Sequence, residues 1–326
     1  MKKFRRLAFI ALFVLITAAM LAGCGSQEDS VETEDASLKI VATIFPAYDW
    51  VMNVLGDNPA GAEVTLLLDD GVDLHSFQPT AQDIQKISDC DLFIYAGGES
   101  DNWVEDALQE AINPEMISIN LLESVGDNAK EEEEVEGMEA EAGDEEEPEY
   151  DEHVWLSLRN AEKLVDEISG TLCRIDADNA QGYKDNAAAY MAELKAVDEE
   201  YEKTVAGAKY GTLLFGDRFP FRYMTDDYGI QYYAAFAGCS AETEASFETI
   251  TFLANKLEEL QLPAVLTTET SDGRIAETII MAAESPDTDL LSMNSMQAVT
   301  SDDVAAGASY TGMMKDNLEA LKKALN

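Results

Sequence analysis

Histidine is scarce in this chain: its 326 residues include only two, His75 and His153. Basic residues are scarce as well, with 21 Lys and Arg against 65 Asp and Glu and a formal net charge of −44. So acidic a chain has no basic surface to displace counterions from phosphates, which excludes nucleic acid as a partner. The acidic excess favours cations as partners, and it also promotes solubility.

Long apolar runs are lacking too, with one short exception at the N-terminus. Residues 1–6 are cationic, residues 7–19 are apolar but too short to span a membrane, and Leu-Ala-Gly-Cys occupies positions 21–24. This pattern resembles a bacterial lipoprotein signal. The resemblance implies that residues 1–23 are removed and that Cys24 becomes a lipidated N-terminus, anchored to the cell membrane on its extracytoplasmic face. Residues 24–37 are then a flexible tether.

Cysteine is sparse, with Cys90, Cys173 and Cys239 besides Cys24. No two are close enough in sequence to form a CxxC pair for metal or redox chemistry. Three remaining cysteines permit one disulfide at most, and the spacing does not choose its pairing. We therefore expect each to be a buried small hydrophobic residue.

Apolar and β-branched segments alternate with helical patterns from residue 38 onward. In the first half, strands are predicted at 38–44, 63–68, 91–96 and 116–119, with helices at 47–55, 81–88 and 101–112. In the second half, strands are predicted at 212–215, 231–236, 264–267 and 289–292, with helices at 221–227, 246–260, 274–283 and 310–325. Strands separated by helices predict an α/β fold with doubly wound parallel sheets.

One long helical pattern divides the two halves. Its apolar and aromatic residues recur at helical spacing from Tyr183 to Val197, and 26 residues of helix would span roughly 39 Å. We therefore predict an N-terminal lobe at 38–179, with a further helix from residue 155, a linking helix at 180–206 and a C-terminal lobe at 207–326. A ligand would bind in the cleft between the lobes.

A dense acidic run interrupts the first lobe. Between residues 131 and 152, 14 of 22 residues are Asp or Glu. This composition predicts a solvated loop without fixed structure, which we place at residues 126–152. A second interpretation is an accessory cation-collecting loop, whose candidate residues are Glu131, Glu132, Glu133, Glu134, Glu145, Glu146 and Glu147.

Four possible metal ligands lie near the carboxyl ends of predicted strands. They are His75, His153, Asp217 and Glu269, two from each lobe. Two imidazoles and two carboxylates would neutralise a divalent ion, and they suit zinc, manganese or iron better than calcium or magnesium. Taken singly, such histidines are often surface groups and such carboxylates helix caps; their coincidence at strand ends predicts a metal site.

Motifs in both halves support this interpretation. They are DLHSFQPT at 73–80, DLFIYAGGESDNW at 91–103, DEHVWLS at 151–157 and CSAETEAS at 239–246. In combination they resemble zinc/manganese-type ABC-transporter substrate-binding lipoproteins, the metal-binding solute-binding protein family 9. The resemblance covers residues 38–326, and it implies a two-lobed receptor that is monomeric and is not an enzyme.

The resemblance also implies the ligands, the metal and the partners. His75 and His153 match metal-ligand positions, Asp217 lies about one residue from the third, and Glu269 matches a carboxylate used in part of the family. Other members use an aspartate further on, where this chain has Asn294–Ser295. The implied metal is Zn2+, because the motifs are closer to those of zinc-binding members. Mn2+ or iron is the alternative, because two histidines and two carboxylates also suit manganese. The implied partners are an ABC permease and its ATPase.

Two other functions fit parts of the sequence. A metallohydrolase could use the same residues, but HExxH is absent and no serine or cysteine lies in a nucleophile motif. A surface adhesin could use the acidic loop to contact a host or matrix. Neither explains the combined motifs as well as a metal receptor does.

Overall fold

Two parallel four-stranded sheets form the framework of the computed structural model, which describes residues 37–139, 150–240 and 244–326. The first sheet has the order β2-β1-β3-β4 and consists of β1 (Lys39–Ala42), β2 (Glu63–Leu66), β3 (Leu92–Tyr95) and β4 (Ile117–Asn120). The second has the order β6-β5-β7-β8 and consists of β5 (Thr212–Arg218), β6 (Gln231–Phe236), β7 (Ala264–Thr268) and β8 (Asp289–Met293). In each sheet the first strand lies between the second and third, so the two lobes share a topology. This confirms the predicted α/β class.

Helices flank both sheets. Those of the first lobe are α1 (Phe45–Leu55), α2 (Ala81–Ser88), α3 (Val104–Gln109), α4 (Leu121–Val125) and α5 (Leu158–Ile175). The later ones are α6 (Ala180–Ala206), α7 (Arg222–Tyr228), α8 (Phe247–Leu260), α9 (Arg274–Ala282), α10 (Ser301–Ala305) and α11 (Tyr310–Ala324). Helix α5 begins three residues later than predicted because Val154–Leu156 forms a 3-10 turn and the Ser157 side chain caps the helix at the Asn160 N–H.

Helix α6 is the long helix that the sequence predicts between the lobes. It has 27 residues, and its buried side chains recur along one stripe. Tyr190 donates a hydrogen bond to Asp49 of α1 (3.0 Å), while Tyr201 donates to the Met314 carbonyl of α11 (2.7 Å). The helix is therefore fixed to helices that flank each of the two sheets.

Direct hydrogen bonds also join the lobes beside the cleft. The Trp155 indole N–H donates to the Ser295 carbonyl (2.8 Å), and the Tyr310 hydroxyl donates to the Trp155 carbonyl (2.6 Å). Trp155 and Tyr310 are fully buried. Buried bonds of this kind are costly to break, because each would leave a polar group without a partner. These bonds therefore resist a change in the separation of the lobes.

The acidic segment differs from its prediction wherever it is described. Residues 130–139, which we call the acidic strap, extend from the first lobe onto the second. Glu133 forms an ion pair with Arg222 (2.9 Å), and Glu139 accepts hydrogen bonds from the Ser246 N–H and the Thr249 hydroxyl at the start of α8. These partners stabilise the carboxylates in place, so this part of the segment has a defined path.

Several predicted features lie outside the described residues. They are the signal segment 1–23, the lipidation residue Cys24, all of the tether except residue 37, and Glu145, Glu146 and Glu147. Over the described ranges, we find no helix with the length and apolar character needed to cross a membrane. Cys90, Cys173 and Cys239 are free thiols.

Candidate metal centre

His75 is presented by a turn after β2. The turn is a 3-10 helix at Leu74–Ser76, and the Asp73 side chain caps it by accepting a hydrogen bond from the His75 N–H (3.0 Å). The other Asp73 oxygen accepts a hydrogen bond from Arg218 Nη2 at the end of β5 (2.7 Å). The loop that carries His75 is thus anchored to the second lobe.

His153 lies on the chain that follows β4 and is completely buried. Asp151 Oδ1 accepts hydrogen bonds from both the backbone N–H (2.8 Å) and the Nδ1–H (2.9 Å) of His153. The Tyr223 hydroxyl, from α7, donates to the Asp151 carbonyl (2.8 Å). Both the position and the ring orientation of His153 are therefore fixed.

The two imidazoles face each other through their Nε2 atoms, which are 3.3 Å apart. Each Nδ1 atom has a partner of its own: Asp151 for His153, and the Ser100 hydroxyl for His75 (2.7 Å). Ser100 is oriented by its backbone N–H, which donates to Glu152 (2.7 Å). With their protons on Nδ1, both rings direct Nε2 lone pairs to the same point, as metal-binding histidines do.

The spacing of the Nε2 atoms suits zinc. Two nitrogens bound to a tetrahedral zinc ion at 2.0–2.1 Å lie about 3.3 Å from each other, which matches the observed separation. The arrangement therefore favours a cation bound between the rings.

Glycine at position 98 permits the close packing behind His75. Its φ angle is +80°, and a Cβ atom there would lie 2.5 Å from the Glu152 side chain. Any other residue would displace Glu152, whose carboxylate orients Ser100 and through it His75. The Glu152 Oε2 atom is buried without a hydrogen-bond partner among the described residues and lies 3.9 Å from His75 Nδ1.

The two histidines differ in their affinity for protons. Burial and the adjacent His153 lower the pKa of His75 to about 3. Burial also disfavours protonation of His153, but Asp151 outweighs it and raises the pKa of that imidazole above its usual value. A single proton, carried by His153, is thus the main competitor for a metal at this pair.

Cys239 is the third member of the cluster, and the sequence did not identify it as a ligand. Among the described residues, His75, His153 and Cys239 form a group whose ligand atoms all lie within 4.8 Å of one another. Cys239 follows β6 by three residues. Cys239 also lies near the carboxyl end of a strand, as the histidines do. Because no second cysteine lies close to it in sequence, the sequence predicts a core residue at this position and not a ligand.

Asp217 and Glu269 do not belong to this group. Asp217 lies inside β5, beside a bulge, and not in a loop after the strand as the sequence predicts. One of its oxygens accepts hydrogen bonds from the N–H (2.9 Å) and hydroxyl (2.7 Å) of Thr268, and the other accepts from the Arg218 N–H. In this position its carboxylate joins the carboxyl end of β5 to the end of the neighbouring strand β7.

Glu269 follows β7 directly and binds the neighbouring loop. Its two oxygens accept hydrogen bonds from the N–H (2.7 Å) and hydroxyl (2.8 Å) of Ser295. Gln297 completes a connection to the cluster, because its Nε2 atom lies 3.3 Å from the Ser295 hydroxyl and 3.0 Å from His153 Nε2. Glu269 therefore reaches His153 through two intervening side chains.

Known proteins resemble this chain in sequence and in structure. The zinc-binding lipoprotein AdcA of Streptococcus pneumoniae is 30% identical over 318 residues, which are 96% of this chain; the chain spans 60% of the length of that relative. The high-affinity zinc uptake system protein ZnuA of Bacillus subtilis is 29% identical, with 99% of this chain and 98% of the relative covered.

A solved structure supports the same relationship. The Zn(II)-bound ZnuA-like domain of S. pneumoniae AdcA superimposes with a TM-score of 0.69 at 28% identity, covering 89% of this chain and 99% of that domain. The model of the family described as "Zinc-uptake complex component A periplasmic" matches residues 40–324. Because this match takes in nearly the whole chain, the protein belongs to the ZnuA family of zinc-uptake components.

Proposed function

We propose that this protein is the extracytoplasmic receptor of an ABC importer and that its cargo is zinc, bound between the two lobes. The observation that carries the proposal is the pair of Nε2 atoms, 3.3 Å apart, on rings whose Nδ1 atoms are both held by hydrogen bonds. Two such donors at this separation suit a single divalent transition metal.

Donor chemistry favours zinc over the alternatives. Calcium and magnesium prefer oxygen ligands, and manganese prefers carboxylate and carbonyl oxygens over imidazole. The ligand atoms of the histidine–cysteine cluster are two imidazole nitrogens and one sulfur. Asp217 and Glu269 have their oxygens bonded to Thr268 and Ser295, so we assign them to the support of the cleft wall.

Transfer of the metal completes the proposed role. The relatives are named as a zinc-binding lipoprotein and a zinc uptake system protein. By analogy, Cys24 carries the lipid, the monomeric receptor stays at the outer face of the cell membrane, and it releases zinc to a permease driven by its ATPase. The Glu-rich strap would contribute a local negative potential that attracts cations.

A competitive titration tests the metal assignment. The purified full-length chain is titrated with zinc and manganese against a chelator, beside His75→Ala and His153→Ala. We expect one tightly bound zinc, loss of at least about a hundredfold in affinity in either histidine variant, and weaker manganese binding. Preference for manganese would overturn the zinc assignment, and the absence of any tight site would overturn the receptor role.

Two further variants test the carboxylates. Asp217→Asn and Glu269→Gln preserve side-chain size, and we expect much smaller losses of zinc affinity from them than from the histidine variants. A loss as large as that of His75→Ala would identify the carboxylate as a ligand, as the sequence motifs predict.

A further inference from the structure

The sulfur of Cys239 approaches the histidine pair from the second lobe. His75 and His153 both belong to the first lobe, whereas Cys239 follows β6 in the second sheet. Its Sγ atom lies within 4.8 Å of the ligand atoms of both histidines. The three side chains therefore converge on one point in the cleft.

The backbone around Cys239 is packed closely enough to fix this position. A Cβ atom added to Gly238 would lie 2.9 Å from the Phe219 carbonyl and 3.4 Å from two atoms of the His153 ring. Glycine thus allows the chain to pass directly against the imidazole. On the other side, the Cys239 N–H donates to Glu132 of the acidic strap (2.8 Å).

The three free cysteines of the described chain have different surroundings. Cys90 is buried against the Met116 sulfur (3.6 Å), and Cys173 donates to the Ala180 carbonyl (3.3 Å), so neither belongs to the cluster. Cys239 instead lies beside the two histidines, and its backbone N–H donates to Glu132 of the acidic strap.

We propose that Cys239 is a metal ligand, so that two imidazole nitrogens and one thiolate sulfur form a centre that selects zinc against manganese. This inference rests on the proposed function and deepens it. A thiolate is a soft donor, which binds zinc strongly and binds manganese poorly. Its place in the second lobe makes one metal ion bridge the two lobes.

Coordination replaces a proton by the metal. A cysteine thiol that is not bound to a metal carries a proton at neutral pH, because its ordinary pKa is about 8.5. On binding, the S–H bond breaks, its electron pair forms the sulfur–metal bond, and the proton leaves to solvent. No electron is transferred, and the metal stays divalent.

Cobalt(II) provides a spectroscopic test, because it replaces zinc in such sites and thiolate ligands give it a charge-transfer band in the near ultraviolet. The full-length chain is compared with Cys239→Ser and with Cys173→Ser, which removes a thiol elsewhere. We expect the band in the wild type and in Cys173→Ser, and its absence from Cys239→Ser. Cys239→Ser should also lower zinc affinity by about tenfold or more, with manganese affinity nearly unchanged.

The outcomes separate this inference from the proposed function. Cobalt that binds tightly through His75 and His153 without the thiolate band would overturn the Cys239 assignment and leave the receptor role intact. A band that persists in Cys239→Ser would also overturn it. Failure of the wild type to bind cobalt or zinc at all would overturn both.

Discussion

Asp151 Oδ1 lies 2.9 Å from Nδ1 of His153, and both side chains are inaccessible to solvent. The same oxygen accepts the His153 backbone N–H at 2.8 Å. One carboxylate oxygen therefore sets the tautomer, the ring orientation and the basicity of this imidazole.

We predict that Asp151→Asn weakens zinc binding by about 10- to 100-fold, the usual effect of losing the carboxylate partner of a metal-binding histidine. The asparagine can still accept the backbone N–H, so the local chain path should survive. Asp166→Asn, an exposed site on α5, is the matched control and should bind like the wild type. Equal affinities for all three proteins, measured by chelator competition, would contradict the orienting role.

The histidine pair should contribute one proton to the pH dependence of zinc affinity, in addition to the proton that Cys239 releases. The pKa of His153 is raised by Asp151, so its protonated form competes with the metal, while the pKa of His75, about 3, removes that imidazole from competition near neutral pH. As pH falls through the raised pKa of His153, we expect the affinity to fall by up to about tenfold per pH unit from this group. Zinc titrations in a series of buffers measure how steeply the affinity changes with pH. If both histidines released a proton on zinc binding above pH 5, this assignment would be contradicted.

Asp49 should make the stability of the fold depend on pH. Burial raises its pKa to about 6, although Tyr190 and the Tyr310 N–H donate hydrogen bonds to it. The folded state thus holds the proton more tightly than the unfolded state, so the stabilising contribution is present below pH 4 and is lost as pH rises through about 6. The free energy of unfolding changes by at most about 3 kcal/mol from this group over that pH range.

Asp49→Asn removes that dependence. We expect the variant to gain stability relative to the wild type at pH 8 but not at pH 4, as measured by denaturant unfolding at both values. Asp57→Asn, an exposed site after α1, is the control. If the free energies of unfolding of wild type and Asp49→Asn differed by the same amount at pH 4 and pH 8, Asp49 would not titrate in this way.

The separation of the lobes should stay constant when metal binds. The Trp155–Ser295 and Tyr310–Trp155 hydrogen bonds and helix α6 all resist a hinge motion. We expect the same small-angle scattering curve with and without zinc. Trp155→Phe, which leaves the Ser295 carbonyl without its buried donor, should cost about 1–3 kcal/mol of stability. A clear decrease in the radius of gyration on binding would contradict the rigid linkage.

The sequence predicts the fold well because apolar periodicity and strand–helix alternation are local signals. Strand β6 was predicted at its observed limits, and α8 and α11 within one residue. The end of β5 was missed because Asp217 and Arg218 look like loop residues. Their hydrogen bonds to Thr268 and Asp73, in distant parts of the chain, extend the strand.

The site was predictable only in part. His75 and His153 could be selected because imidazoles at strand ends are rare in this chain, and the structure brings them together. Cys239 depends on packing at Gly238 and on Glu132, which no local pattern encodes. The acidic composition of the insertion predicts a solvated loop without fixed structure. Composition alone does not reveal that Glu133 and Glu139 have partners on the second lobe.

Membership of the zinc-uptake family favours a metal receptor over a metallohydrolase. That family is described by uptake and not by a reaction, which confirms that the protein is not an enzyme. The metallohydrolase alternative therefore loses its support, while the adhesin alternative stays untested.

The two ends of the acidic insertion are joined to each other at the base of the acidic strap. Lys130 and Asp151 are paired by a backbone hydrogen bond of 2.9 Å, and Glu131 pairs with Tyr150, so the two ends of the acidic insertion meet beside His153. Tyr223 binds both ends, at the Lys130 N–H and the Asp151 carbonyl. The contacts at these two ends therefore support the imidazole independently of the residues between them, so a change in the length of the insertion should leave His153 in place.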